Sequence, residues 1–267
     1  SSLECPFDTW GVIGRMALEV LLFRSLFRNT RVELRGRRLI FGEEKLLWLG
    51  SMLFHWSMLI VLLRHTRFFA EPTPFFVPIL QSLDGFFQIG APALYLSTAG
   101  IILGLAYLLF RRLALPQVRY ISLISDYFPL FLIMAIAITG TLMRHFFRVD
   151  IQAVKELTIG LVALKPVVPS GVGPLFYIHL FLVSALLAYF PLSKLVHMGG
   201  VFLSPTRVLA NNSRTRRHIN PWNYPVKYHT FEEWQEEFRD KMVSAGYVID
   251  RETASSEKEA ARQSETV

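Results

Sequence analysis

The stretch that most constrains this chain is Leu46–His65, LLWLGSMLFHWSMLIVLLRH. About 20 apolar residues in helical conformation cross the hydrocarbon core of a bilayer, and this run is almost entirely Leu, Met, Ile, Val, Phe and Trp. Yet it carries His55 within it and closes on His65. An ionisable side chain inside a membrane segment is costly and by default marks a functional site. Ten positions separate the two histidines, about 15 Å along a helix axis. One ring then sits near mid-membrane and the other near one face. A second apolar run, Leu175–His197, holds His179 and His197. Two helices with two imidazoles each point to two metal sites stacked across a membrane.

The rest of the chain supports that setting. Of its 267 residues 52% are hydrophobic, and the mean hydropathy is +0.37, high for a soluble protein and ordinary for a membrane one. Four spans are expected, at about 46–65, 87–110, 121–143 and 174–198. The fold class is therefore all-α, a polytopic membrane helical bundle. A net charge of +7 would raise nucleic acid as a partner for a soluble domain. Here the basic residues flank the apolar runs, so topology accounts for them: the partner is the lipid bilayer and no nucleic acid is expected. Arg and Lys are denser in 28–45, 111–119 and 207–227 than in the two opposite connections. The positive-inside rule then places the N-terminal segment and the tail in the cytoplasm, in a multi-pass cytoplasmic-membrane protein.

Three regions follow: 1–45, 46–198 and 199–267. In the first, residues 9–28 are apolar but for Arg15, Glu19 and later arginines. They read as an amphipathic helix lying on the membrane, with Arg15 and Glu19 at i,i+4 spacing; a spanning helix with a buried ion pair is the alternative. Residues 29–45 read as a basic cytoplasmic segment. The connection 66–86 is rich in proline and aromatics, and 144–173 holds Lys165, Pro166 and Pro169. In the third region, Thr230 and Glu233 have capping-box spacing before an expected helix 231–245 that stops at Gly246. Phe231, Trp234, Phe238 and Met242 form one narrow apolar stripe on it and are candidates for docking a cytoplasmic partner. Residues 251–267 are polar and charged and are expected to be disordered. The chain begins at Ser1 with neither a methionine nor a signal-peptide pattern, so residues are expected upstream.

Neutral imidazole is an axial ligand of haem iron, and helix bundles build cofactor sites from facing side chains. Antiparallel helices would pair His65 with His179 near one face and His55 with His197 toward the other. His55 and His65 differ by about 1000° of helical rotation, and His179 and His197 by about 1800°, which returns to one face. The axial spacings disagree, about 15 Å against about 27 Å, so tilt, a kink at Pro191 and the breadth of a porphyrin must absorb the difference. Cys5 is the single cysteine and there is no CxxCH, so haem would be held without covalent attachment. Arg64 and Arg67 flank His65 and are candidates for haem propionates, since arginine forms bidentate bonds to carboxylates; interfacial snorkelling explains them equally well. His145, His218 and His229 have no partner evident in the sequence. The competing readings are buried histidines bonded to neighbours, and a haem-free transporter or anchor. A transporter more often shows broken helices with carboxylates at mid-membrane.

The histidine pairs, with IHLFLVSALLAYFPLSKLVHM around the second, resemble the gamma subunit family of respiratory nitrate reductases over about residues 45–200. HMGGVFLSPTRVLANN, HINPWNYPVKYHTFEEW and DYFPLFLIMAIAITGTLMRHFF resemble, more narrowly, the DsrM family of membrane cytochromes b in sulfite-reductase-associated DsrMKJOP complexes. The resemblance implies two b-type haems with His55, His65, His179 and His197 as axial ligands. It also implies electron transfer between menaquinol or menaquinone and a cytoplasmic iron–sulfur partner of the DsrK type, related to heterodisulfide reductase. Other DsrMKJOP-type subunits would complete the assembly. Members of the DsrM family carry a further span upstream, which this sequence lacks. The nitrate reductase lysine that helps hold quinol has no counterpart near Asp84 and Gly85, which leaves Asp84 and Arg67 as quinone candidates. The alternative implied is the cytochrome b subunit of another heterodisulfide-reductase-like, quinol-oxidising complex.

Overall fold

The computed structural model describes residues 3–85, 94–216 and 225–247. It falls into two compact units, divided between Asn212 and Ser213. The first opens with α1 (Thr9–Leu22) and α2 (Arg24–Phe27), then strands β1 (Thr30–Arg35) and β2 (Arg38–Glu43). The helices α3 (Lys45–His65), α4 (Phe76–Asp84), α5 (Leu96–Ala114), α6 (Pro116–Ile121), α7 (Ile124–His145), α8 (Ile151–Val162) and α9 (Pro174–Tyr189) follow. Two short helices, α10 (His197–Gly200) and α11 (Pro205–Val208), complete it.

Four helical stretches are long and apolar enough to cross a membrane: Lys45–Phe68, Leu96–Ala114, Ile124–His145 and Pro174–Leu192. The bundle is mostly helical, as the apolar runs predict. The second helix begins at Leu96, and the first residues of its expected range lie outside the described ones. The spans pack in sequence, α3 on α5, α5 on α7 and α7 on α9, whereas α3 and α9 make no extended contact among the described residues. Small residues permit the closest approach, as in membrane bundles generally: a Cβ on Gly104 would stand 2.9 Å from the Phe54 backbone nitrogen. Ile101, Leu105 and Ile133 form the core between them, with Phe54, Met134 and Leu186 against it.

Each end of the bundle is closed by ion pairs. At the end where α3 starts, Arg111 donates to Glu44 at 2.6 Å and Lys194 to Asp126 at 2.7 Å. Asp126 also accepts from the Leu123 backbone N–H at 2.9 Å, capping α7. At the opposite end, α8 packs Val154 and Leu157 against Phe176 at the start of α9. The sequence reading did not place this helix. Its signals are Asp150, which caps it by accepting from the Gln152 N–H at 2.8 Å, and apolar Val154, Leu157 and Leu161 at helical spacing.

Four expectations are corrected. Residues 29–45 contain an antiparallel hairpin that pairs Thr30 with Glu43 and Arg35 with Arg38. Its two-residue turn uses Gly36 at φ +64°, the left-handed geometry tight hairpins require. Arg15 and Glu19 do not pair. Arg15 is buried and donates to the Glu4 carbonyl at 3.0 Å, the Asn211 side chain at 3.2 Å, the Leu209 carbonyl at 3.1 Å and the Arg207 carbonyl. Those acceptors satisfy the guanidinium without a carboxylate and tie α1 to residues 207–211, so 199–212 belongs with the helices. Glu19 turns to Ser25 instead, accepting from its hydroxyl at 2.7 Å. Third, the last span is not one helix to residue 198: the chain leaves α-helix at Tyr189, and Pro191 sits in the 3-10 turn that follows.

The fourth lies in the second unit, where the expected 231–245 helix is two pieces, α12 (Phe231–Glu237) and α13 (Arg239–Ser244). Phe238 between them has φ −104° and ψ 10°, off helical geometry. The Thr230–Glu233 capping box forms in both directions, each bond 3.2 Å, and Gly246 ends the segment at φ +79°. Phe231, Trp234 and Phe238 form a row of rings, with centroids 6.1 and 5.7 Å apart; Met242 follows on α13. Residues 251–267 and His218 lie outside the described residues.

Candidate cofactor sites

The histidines occupy two levels. At the first, the rings of His55 on α3 and His197 at the start of α10 have centroids 6.0 Å apart, with planes at 86°. The break after Tyr189 is what permits this. A continuous helix would carry residue 197 about 27 Å beyond residue 179, whereas two 3-10 turns at Phe190–Leu192 and Lys194–Val196 change the path of the chain first. Phe23 and Phe54 stand edge-on to the His55 ring at 5.0 and 4.8 Å. At the second level, His65 ends α3 and His179 lies near the start of α9, close enough to interact electrostatically. Phe68 flanks His65 at 5.7 Å.

All four rings are held alike. His55 Nδ1 lies 2.8 Å from the Ser51 carbonyl, His65 Nδ1 2.6 Å from that of Val61, and His197 Nδ1 2.8 Å from that of Lys194. A carbonyl only accepts, so each Nδ1 carries the proton and each Nε2 keeps its lone pair. His179 Nδ1 meets the Thr139 hydroxyl at 2.8 Å, with the same consequence, because that hydroxyl gives its own proton to the Ala135 carbonyl. None of the four Nε2 atoms bonds to a described residue. This is the arrangement in which a metal-binding imidazole is oriented through its other nitrogen.

The donor set fits haem. Imidazole nitrogen binds a metal at about 2.0–2.1 Å, so two rings on opposite sides of one iron have centroids roughly 6 Å apart, as His55 and His197 do. Among the described residues no group of three or more His, Cys, Asp or Glu could hold a metal ion; the imidazoles come in pairs. The absence of extended packing between α3 and α9 leaves room between the helices that carry them. Gly140 adds a fitted detail, since a Cβ there would stand 3.3 Å from His179 Cε1.

Around the second level the charges form a cluster. Arg64 pairs with Asp84, and Asp84 also accepts from the Ser97 N–H at 2.7 Å and the Ser97 hydroxyl at 2.5 Å. Both side chains are largely buried, Asp84 2% exposed and Arg64 11%. The Arg64 and Arg144 guanidiniums lie over the Tyr95 ring, at 3.6 and 3.9 Å from its centroid. Arg67 lies near Phe68, 4.7 Å from its centroid, and has no carboxylate partner among the described residues. Thus Arg64, a propionate candidate, already has an anion, and Asp84, a quinone candidate, holds it. Ser97, Tyr95, Arg144 and Thr139 escaped the sequence reading because no spacing links them; only packing does. His145 keeps a buried Nε2 without a partner, and His229 lies 3.6 Å from Glu237.

With this geometry established, comparison with known proteins decides the lineage. A family model described as nitrate reductase gamma subunit matches residues 9–217. The chain belongs to the nitrate reductase gamma subunit family. The match covers α1 and the hairpin as well as the spans, beyond the 45–200 expected from the histidines, and this family member is a multi-pass membrane protein. It is 45% identical over 224 residues to the Hdr-like menaquinol oxidoreductase cytochrome b-like subunit of Archaeoglobus fulgidus. It is 37% identical over 227 residues to the protein of the same name from Archaeoglobus profundus. The aligned parts are 82% and 83% of this chain and 67% of each relative.

Proposed function

We propose that this chain is the dihaem cytochrome b subunit of an Hdr-like menaquinol oxidoreductase, carrying electrons from menaquinol across the membrane to an iron–sulfur partner. The observation that carries the reading is the four imidazoles in two pairs, each with Nδ1–H engaged and Nε2 open. Bound there, two haems supply one-electron carriers, which divide the two electrons of a quinol into single steps. The chain's own residues supply the rest. His55 with His197 and His65 with His179 fix two levels about 15 Å apart along α3. Arg67 offers a guanidinium without a carboxylate partner to a propionate or to a quinone oxygen. Arg64 adds charge, and Asp84 acts on the quinone side by holding it. The His65 level faces outward and the His55 level faces the cytoplasm, where the basic segments and the tail lie.

The names of the two relatives support the menaquinol side and an Hdr-like complex in preference to the sulfite-reductase-associated one. A DsrK-like partner and DsrMKJOP-type subunits are the narrower form of the same proposal, resting on the resemblance of 126–147 and 197–234. Dithionite-reduced minus oxidised spectra with haem quantitation test it. Two non-covalent, low-spin, bis-histidine haems per chain are expected, both extractable by acid-acetone. One haem or none in well-folded protein overturns the four-ligand assignment.

A further inference from the structure

The four outward-facing ring nitrogens are not equivalent. Those of His55, His65 and His197 donate to main-chain carbonyls of Ser51, Val61 and Lys194, acceptors that a side-chain substitution leaves in place. His179 alone donates to a side chain, Thr139 Oγ1, at 2.8 Å. Thr139 passes its own proton to the Ala135 carbonyl at 2.8 Å, with the Ile136 carbonyl at 3.0 Å as a second acceptor. The result is a directed chain from His179 Nδ1–H through the hydroxyl to α7's backbone, and hydrogen bonds in such a chain polarise one another. The next residue, Gly140, leaves the space that His179 Cε1 needs. Thr139 and Gly140 together make a seat for one imidazole: a hydroxyl for the nitrogen and a gap for the adjoining carbon.

We infer that Thr139 is a positioning residue for the haem iron at the His65 level, setting the reduction potential of that haem independently of the other. The inference rests on the dihaem reading above. An acceptor on Nδ1–H makes Nε2 a stronger donor to iron. Stronger donation favours the ferric state and lowers the potential, and second-shell hydrogen bonding is one of the levers a protein has on a haem. Removing the hydroxyl should therefore raise the potential of this haem alone. The Ile136 carbonyl also lies close to the His179 ring, so the experiment asks whether the hydroxyl is needed or the backbone suffices.

The test is optical redox titration of the full chain with its haems, comparing Thr139→Val, nearly isosteric without the hydroxyl, with Thr139→Ser, which keeps it. His179→Ala identifies which midpoint belongs to this level. The expected result is two haems per chain in both variants, an upward shift of that one midpoint in the valine variant, and the original value in the serine variant. If the valine variant instead loses this haem while serine keeps it at its original potential, the hydroxyl is positioning the ligand and the inference stands. It is overturned if neither midpoint moves in the valine variant, if both move together, or if serine behaves as valine does. Fewer than two haems in the unsubstituted protein overturns the dihaem reading, and this inference with it.

Discussion

The two histidine levels use the same four-atom logic and different materials. At the His55 level both rings are held by main-chain carbonyls and lined by the edges of Phe23 and Phe54. At the His65 level one ring leans on a side-chain hydroxyl, and the surroundings hold Arg64, Arg67, Arg144, Tyr95 and Asp84. Backbone and ring edges tolerate substitution elsewhere; side-chain networks do not. The His65 level is therefore where single replacements should be felt, and a level rich in charge suits an exchange of protons and electrons with a quinol.

The largest effect should come from the ligands themselves. His65→Ala and His179→Ala should each reduce two haems per chain to one, or convert one to high spin, and the same midpoint should vanish in both. His55→Ala and His197→Ala should remove the other midpoint and leave quinol able to reduce the remaining haem. Redox titration of all four variants decides it. Loss of different midpoints in His65→Ala and His179→Ala would break the pairing and the comparison together.

A smaller contrast separates the ion pairs at the two ends. Asp84→Asn leaves a buried Arg64 without its carboxylate, and breaking a buried pair costs about 3–5 kcal/mol. Asp126→Asn weakens a pair whose Lys194 side chain is 65% exposed, with an expected loss of about 0–1 kcal/mol. The lost cap at Leu123 adds about 1 kcal/mol. Unfolding in detergent, followed by loss of the haem absorbance, should rank Asp84→Asn well below Asp126→Asn. Equal losses would show that Arg64 has another anion when haem is bound.

How much of this was legible depends on where each feature is encoded. The spans and their histidines are local: twenty apolar residues announce a helix, and an imidazole among them stands out. Thr230 with Glu233 is equally local, and its capping box forms. The ending of α9 was half legible. Pro191 marked a disturbance, but the route by which His197 reaches His55 depends on Ser193, whose hydroxyl accepts from the Leu195 N–H at 3.2 Å to open the next turn. The hairpin was hidden by its charges, although Val32, Leu34, Leu39 and Phe41 alternate with polar residues around Gly36. Least legible were contacts across the fold. Arg15 and Glu19 obey the i,i+4 rule in sequence, and only the approach of residues 207–211 shows why the rule fails there. Thr139 looks like one more polar residue in a span until α9 places His179 beside it.

Smaller again is the effect of adding one carbon beside a ligand. Gly140→Ala puts a methyl 3.3 Å from His179 Cε1, and crowding a packed site costs about 1–3 kcal/mol. The matching change at the other level is Gly199→Ala, two residues after His197, where a Cβ would meet nothing within 4 Å. It should be neutral within about 0.5 kcal/mol. Haem retention on heating, read separately at the two midpoints, should fall for the His65 level in Gly140→Ala and for neither level in Gly199→Ala. A loss at the His55 level in Gly140→Ala would mean that α7 does not act through His179.

The tail should have no effect on either level. Phe231, Trp234 and Phe238 are set in a row by the Thr230 cap and the short helices that follow, and Phe231 is 59% exposed and Trp234 43%. A row of aromatic rings on a segment too small to have a core of its own needs a surface to bury it, and aromatic side chains dominate the energetics of such contacts. The break at Phe238 sharpens the expectation, because it separates Met242 from the rings and leaves Trp234 and Phe238 as the pair that matters. Replacing both with alanine should weaken capture of the iron–sulfur partner at least tenfold, since truncating a central aromatic commonly costs about 2 kcal/mol or more. Both haem midpoints and the haem-to-chain ratio should stay where they were. Unchanged capture would give the tail another role; a shifted midpoint would mean that the tail bears on a haem level, and the contrast between the levels would then have to include it.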